Sequence, residues 1–326
     1  MRRPIAIGLS PNTTSADAHL ALSLLFHPWR YTKGYAAERL EGWFEKYFTV
    51  PYAVSFNSGR SALYAILKAM NIGKGDEVIL QAFTCVVVPN AVIALGAKPV
   101  YVDIDETLTM NIQDLEKKLT SNTKVIIVQH TFGIPSHMDE ISKIARRRKI
   151  PLIEDAAHTI GGEYKGKKLG TFGIAAIFSF GRDKAFSSTF GGMAITTDRE
   201  LGKKIEAYQL RRPYPTIFWT IRQLFYPLVT QCILATYYLF NFGKLVHFLL
   251  AKMKFFSYPV TRQEKEGIFK ESMVRRYPNA LATLALFQLT RLEEYTNRRK
   301  EIVATYLAAA KTKKIVSPIK ESIPLL

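Results

Sequence analysis

Seven short apolar runs, separated by stretches of helical periodicity, occupy residues 53–197. The runs lie at 53–56, 77–80, 99–104, 124–129, 151–154, 175–180 and 192–196, and most are rich in Val and Ile and bounded by Gly, Pro, Asp or Lys. Helical patterns fall between them at 61–70, 89–95, 112–119 and 138–148. Strands this apolar need cover on both faces, and alternating helices supply it. The expected fold class is therefore α/β, with a mostly parallel seven-stranded sheet flanked by helices. Sheets of this kind bind ligands outside the carboxyl ends of their strands, so those ends are where chemistry is sought.

The flanks differ from this unit. Residues 18–26 and 37–48 read as helices carrying aromatics that pack on the main domain or on a partner subunit. Residues 215–256 break the alternation: 21 residues between Arg222 and Lys244 carry no charge, and basic residues stand on either side. From residue 277 a helical pattern resumes, 280–306 reads as one or two helices, and 318–326 holds no clear element. The organisation read from this is an N-terminal arm with a large α/β domain at 1–200, an apolar helical insertion at 201–272, and C-terminal helices at 273–326.

Composition bounds the partners. With 48% hydrophobic residues the chain is an ordinary packed protein, not a disordered one. The net charge of +18 is uneven: residues 1–200 carry 24 basic and 19 acidic side chains, residues 201–326 carry 21 and 8. Charge alone fits nucleic acid, an anionic membrane or a phosphorylated substrate. No nucleic-acid-binding motif accompanies it, so no nucleic-acid partner is expected. The apolar stretch is long enough to raise a membrane span. A single crossing would put the helices after 277 on the wrong side of the membrane from the domain they should rejoin. Peripheral membrane contact through 215–256, by a hairpin or an in-plane segment, is the reading that remains beside plain packing. Cys85 and Cys232 make neither a disulfide framework nor a zinc site, so no metal is expected and a reducing compartment is. Behind Met-Arg-Arg-Pro stands no apolar run of signal-peptide length, so the expected location is cytoplasmic, with membrane association through the insertion.

Three segments at strand ends carry chemistry. Asn57-Ser58-Gly59-Arg60-Ser61 follows a strand and opens a helix, whose free N–H groups suit an anion; the plain alternative is a capped turn. Glu154-Asp155-Ala156-Ala157-His158 ends a buried strand with carboxylates that need partners; the plain alternative is a helix N-cap. Phe178-Ser179-Phe180-Gly181-Arg182-Asp183-Lys184 places a lysine just past a strand end, either on the surface or as an amine for carbonyl chemistry. One cofactor needs all three together. Pyridoxal 5′-phosphate takes an anion pocket for its phosphate, a carboxylate for its pyridine nitrogen and a lysine for its aldehyde.

With these segments in this order, the chain resembles the DegT/DnrJ/EryC1/StrS family of fold-type-I, pyridoxal-phosphate-dependent sugar aminotransferases. Residues 57–63, Gly75-Asp76-Glu77-Val78-Ile79, Gly96-Ala97-Lys98-Pro99-Val100, Glu154–His158 and Phe178-Ser179-Phe180 with Lys184 carry the resemblance, which spans about 30–200 and again 275–306. It implies that Lys184 links to the cofactor aldehyde and that Asp155 faces the ring nitrogen. By the same resemblance His158 lies near the cofactor's 3′-oxygen, and Gly59, Arg60, Ser61 and Ser179 stand at phosphate-contacting positions. It implies transfer of an amino group, from L-glutamate by family habit, to a keto sugar that is nucleotide-linked, for cell-surface polysaccharide or glycoconjugate synthesis, by a homodimer. Relatives with His at the lysine position are sugar dehydratases, and Lys184 argues against that outcome.

The departures are informative. The family's ring-stacking Trp or Phe follows a Thr, but here Cys85 follows Thr84, with Phe83 nearby. The family's phosphate-side Asn segment reads Met273-Val274-Arg275-Arg276-Tyr277-Pro278, where an arginine could substitute. His130, after a strand end, is expected to line the site, and His137 to be a solvated loop residue. The family's C-terminal small domain is represented only by its start. A competing reading is a membrane-associated regulatory or scaffolding protein that keeps the cofactor fold without turnover.

Overall fold

The computed structural model describes residues 12–253 and 255–312. Its main sheet is built from β1 (Tyr52–Phe56), β2 (Glu77–Gln81), β3 (Lys98–Val102), β4 (Thr123–Gln129), β5 (Leu152–Asp155), β8 (Ala175–Ser179) and β9 (Gly192–Thr196). β6 (Glu163–Tyr164) and β7 (Lys167–Lys168) form a separate two-residue hairpin. The seven strands run in the order β1-β9-β8-β5-β4-β2-β3. All neighbours pair parallel except β9, which runs antiparallel to both β1 and β8. The expected seven strands are thus all present, with ends moved by no more than two residues.

Register decides what meets at one end of the sheet. Gln129 of β4 pairs with Asp155 of β5, and Asp155 with Ile177 of β8. Because β9 is reversed, its first residue, Gly192, lies beside Ser179 and also beside Phe56. Gln129, Asp155, Ser179, Gly192 and the exit from β1 therefore share one edge.

Helices cover both faces. On one face α3 (Gly59–Ala69), α4 (Val87–Ile93) and α7 (Arg199–Leu210) bury Leu63, Ile66, Val92 and Ile205 against the sheet. On the other, α5 (Ile112–Lys118) and α6 (Met138–Arg148) bury Leu115, Ile141 and Ile144. Beside them α2 (Ala36–Phe48) and α11 (Asn279–Leu289) close over Phe178 and Phe180 with Phe44, Phe48 and Leu281. The N-terminal helix α1 (Ser15–Leu25) is held by charge as well as packing. Its buried Asp17 accepts from Arg291 at 2.6 Å and from Gln288 at 2.8 Å. The C-terminal pattern is two helices, α11 and α12 (Leu292–Thr312); the stretch 318–326 lies outside the described residues.

The insertion is helical: α8 (Ile217–Thr236), α9 (Phe242–Lys252) and the short α10 (Arg262–Lys265). α8 buries Leu224, Tyr226 and Ile233 against the body of the protein. Among the described residues no helix is long and apolar enough to cross a membrane.

Candidate active site

The N-terminus of α3 lies on the sheet because two glycines let it. A Cβ at Gly59 would sit 3.1 Å from Ser179 Cβ and 3.2 Å from the Phe178 carbonyl oxygen. One at Gly192 would lie 2.3 Å from the Gly59 nitrogen and 2.4 Å from the Ser58 carbonyl carbon. Ser58 caps the helix, its Oγ accepting from the Ser61 N–H at 3.3 Å and meeting Ser61 Oγ at 2.9 Å. The remaining first-turn N–H groups form a positive end beside Ser179.

Across the sheet edge, Asp155 is only 5% exposed. One of its oxygens accepts from the Ala157 N–H at 3.1 Å; the other takes no hydrogen bond from any described residue. Lys184 stands on the loop after β8, and its Nζ donates to His158 Nε2 at 2.8 Å and to Asp183 at 3.3 Å. Burial, and then the adjacent Lys184 charge, push the His158 imidazole below its ordinary value, against the opposing pull of Asp155 and Asp183. A neutral His158 accepts the lysine proton at Nε2, which fixes its tautomer with the hydrogen on Nδ1. Gly59, Arg60, Cys85, Asp155, His158, Ser179 and Lys184 all line one cavity of about 180 Å³.

Two expected residues stand differently. The Arg60 guanidinium is engaged by the Glu264 carboxylate and the Pro259 carbonyl, which draw it toward the insertion. Ser61 is 1% exposed and lines an adjoining cavity of about 750 Å³, which shares Ser58, Arg60 and Pro259 with the first. Arg275 lines that second cavity, while Arg276 lies over the Tyr214 ring at 4.6 Å.

His130 is corrected outright: it does not line the site. It is fully buried, its Nε2 donating to Glu154 at 3.1 Å and its Nδ1 accepting from the Ser136 N–H at 3.2 Å. Glu154 also accepts from the N–H groups of Gly170, Phe172 and Gly173 at 2.6–2.8 Å. This pair braces the turn before β8 and faces away from the cavity lined by its neighbour Asp155. His137 is half-exposed and pairs with Asp105 at 2.6 Å.

Sequence reading missed several wall residues. Gln129, Thr189, Phe190 and Pro259 line the lysine cavity. Phe132, held at φ +53, stacks on His158 with ring centres 5.9 Å apart, and Phe83 meets Phe132 edge-on at 6.1 Å. Phe83 itself is not among the lining residues; Cys85 is.

Arg182, two residues before Lys184, ties the lysine loop to the insertion. It is 5% exposed, lies 3.8 Å over the Tyr226 ring, and donates to Gln223 Oε1 and the Ser257 carbonyl at 3.2 and 2.7 Å. Burial lowers its guanidinium to about 10. Pro227 completes the tie. A proline inside a helix leaves the carbonyl four residues earlier without its N–H donor, and that carbonyl, Gln223 O, accepts from Thr189 Oγ1 at 3.3 Å.

The residues present fit pyridoxal 5′-phosphate. A glycine cradle at a helix N-terminus, a buried carboxylate with an open oxygen and a lysine amine border one cavity. A fold of this topology with this donor set defines the class of fold-type-I pyridoxal-phosphate proteins.

Comparison with known proteins gives the family. Residues 14–212 match the DegT/DnrJ/EryC1/StrS aminotransferase family, and the chain belongs to it. The cofactor of that family is pyridoxal 5′-phosphate. The chain is 42% identical over 180 residues to the uncharacterized protein MJ1066 of Methanocaldococcus jannaschii, covering 55% of this chain and 47% of that protein. It is 37% identical over 192 residues to GDP-perosamine synthase of Escherichia coli O157:H7, covering 59% of this chain and 53% of the relative. The chain thus spans about half the length of these curated relatives. Among solved structures, S. venezuelae DesV in complex with a ketimine intermediate superposes with a TM-score of 0.69 at 26% identity, over 95% of this chain and 71% of that one. The aminotransferase of Psychrobacter cryohalolentis gives 0.70 at 26% identity, over 92% and 68%.

Proposed function

We propose that this chain is an aminotransferase that moves an amino group, from L-glutamate, onto a keto sugar carried on a nucleotide, for cell-surface polysaccharide or glycoconjugate synthesis. The observation that carries the reading is the single cavity shared by Lys184, Asp155 and the N-terminus of α3. Relatives named GDP-perosamine synthase support the sugar.

Pyridoxal phosphate supplies, when bound, an electron sink for charge developing on the substrate carbon. The protein's own groups do the rest. Asp155, buried and with one oxygen open, holds a proton on the cofactor's ring nitrogen. The α3 N-terminus and Ser179 take the phosphate. Lys184 Nζ would hold the aldehyde, and its amine, in this cavity, would carry a proton to and from the substrate carbon. His158 orients that amine through its 2.8 Å hydrogen bond. Thr189, Phe190 and Pro259 keep water from the lysine side of the cavity.

A cytoplasmic homodimer with peripheral membrane contact through 215–256 is proposed beside this chemistry and stands or falls apart from it. The test is the visible spectrum of the purified protein loaded with pyridoxal phosphate, before and after L-glutamate. A shift to the absorption of pyridoxamine phosphate supports transamination. Colour that L-glutamate leaves unchanged refutes the donor, and with a panel of amino acids also inert it favours the scaffold.

A further inference from the structure

The insertion carries an apolar face that no described residue covers. In α9, Phe242, Leu245, Phe248 and Leu249 fall within one arc of the helix at 3.6 residues per turn, and they are 50%, 54%, 61% and 47% exposed. The turn leading in adds Phe240 at 95%. The only buried residue of α9 is Gly243, where a Cβ would lie 2.3 Å from the Ile233 carbonyl oxygen. The helix therefore rests on the backbone of α8 at its one glycine and turns its large side chains outward. A contiguous apolar surface of this kind marks an interaction site.

Its charge identifies the partner. Residues 207–263 contain no Asp or Glu, and 203–276 hold 13 basic and 4 acidic residues. Lys244 and Lys252 stand on α9 itself. Docking this face on a second copy would bring two basic surfaces together, whereas an anionic bilayer complements it. The 11-residue helix is about 16 Å long, half of a roughly 30 Å hydrocarbon core. A helix that short, apolar on one side, with Lys244 beside the apolar arc and Lys252 at its last residue, lies in the interface plane.

We propose that α9 and the turn before it form an in-plane anchor for an anionic lipid surface. Phe240, Phe242, Leu245, Phe248 and Leu249 enter the acyl boundary, and Lys244 and Lys252 reach the headgroups. The anchor does not depend on the transamination reading.

Flotation of the full chain with vesicles tests it, using phosphatidylcholine alone and phosphatidylcholine with phosphatidylglycerol. Two double variants, Leu245→Glu with Phe248→Glu and Lys244→Glu with Lys252→Glu, are run beside the parent. Circular dichroism and the bound-cofactor spectrum are read on each sample to show that fold and cofactor binding persist. The parent should float with the anionic vesicles, and each variant should lose at least tenfold in partitioning. Added salt should weaken the parent. Absence from every vesicle fraction, equal flotation on neutral vesicles, or variants that float like the parent would overturn the proposal. So would a parent dimer that the Leu245/Phe248 variant converts to monomer without any vesicle binding.

Discussion

A methyl group at position 192 should dismantle the anion pocket without changing any side chain that lines it. In Gly192→Ala the new Cβ would stand 2.3 Å from the Gly59 nitrogen and 2.4 Å from the Ser58 carbonyl carbon, where ordinary contact begins at 3.4 Å. Both neighbours are backbone, so no side chain can swing aside. Either the start of α3 or the first residue of β9 must move by about 1 Å. β9 is hydrogen-bonded on both sides, to β1 and β8, so the helix end is the softer partner. Overpacking of this kind costs about 1–3 kcal/mol of stability, and a 1 Å misplacement of a binding group costs on the order of 100-fold in function. Titration of the purified variant with pyridoxal phosphate, followed by visible absorption, should show affinity reduced by roughly that factor, with far-ultraviolet circular dichroism retained. Unchanged affinity with an unchanged melting temperature would mean that the close approach of α3 to β9 does not hold the cofactor.

Other substitutions test other parts. In Glu154→Gln the amide group, whichever way it is turned, sets a donor against at least one of the three backbone N–H groups that the carboxylate now receives; urea unfolding should show a loss of about 2–4 kcal/mol. Arg182→Lys keeps the charge but loses the planar group over Tyr226 and the paired reach to Gln223 Oε1 and the Ser257 carbonyl; it should release pyridoxal phosphate faster in a dilution assay, and an unchanged rate would detach the insertion from the lysine loop. Burial raises Glu41 from 4.5 to about 7, against hydrogen bonds from Ser55 that favour the charged form. The folded state then holds more protons than the unfolded state between those values. Stability from this group is greatest below pH 4.5 and falls as pH rises through 7. Glu41→Gln should flatten that part of the stability–pH curve, as denaturant melts at intervals of half a pH unit would read.

The strands were legible because each is a short apolar run, most with a helix after it, and strands buried on both faces need such cover. The segments around residues 59, 155 and 184 were legible because each sits at the end of such a strand, where the fold gathers them. What sequence could not supply was direction and long-range contact. His130 and Asp155 both occupy ends of parallel strands, yet His130 turns into the core toward Glu154 while Asp155 lines the cavity. Gly192 has no local peculiarity, and its importance comes from a helix more than 100 residues earlier in the chain. Arg182 reads as one more basic residue until α8 is placed against it. The insertion was visible as an uncharged stretch, but only its packing separates the buried face of α8 from the bare face of α9.

The central claim is that Lys184 is the residue that holds pyridoxal phosphate. Loading the protein with the cofactor, reducing with borohydride and mapping the peptides by mass spectrometry tests it directly. The account predicts a pyridoxyl group on the peptide containing Lys184, and none on that peptide in Lys184→Ala. A pyridoxyl group on a different lysine, or an undiminished yield of modified protein from Lys184→Ala, would contradict it.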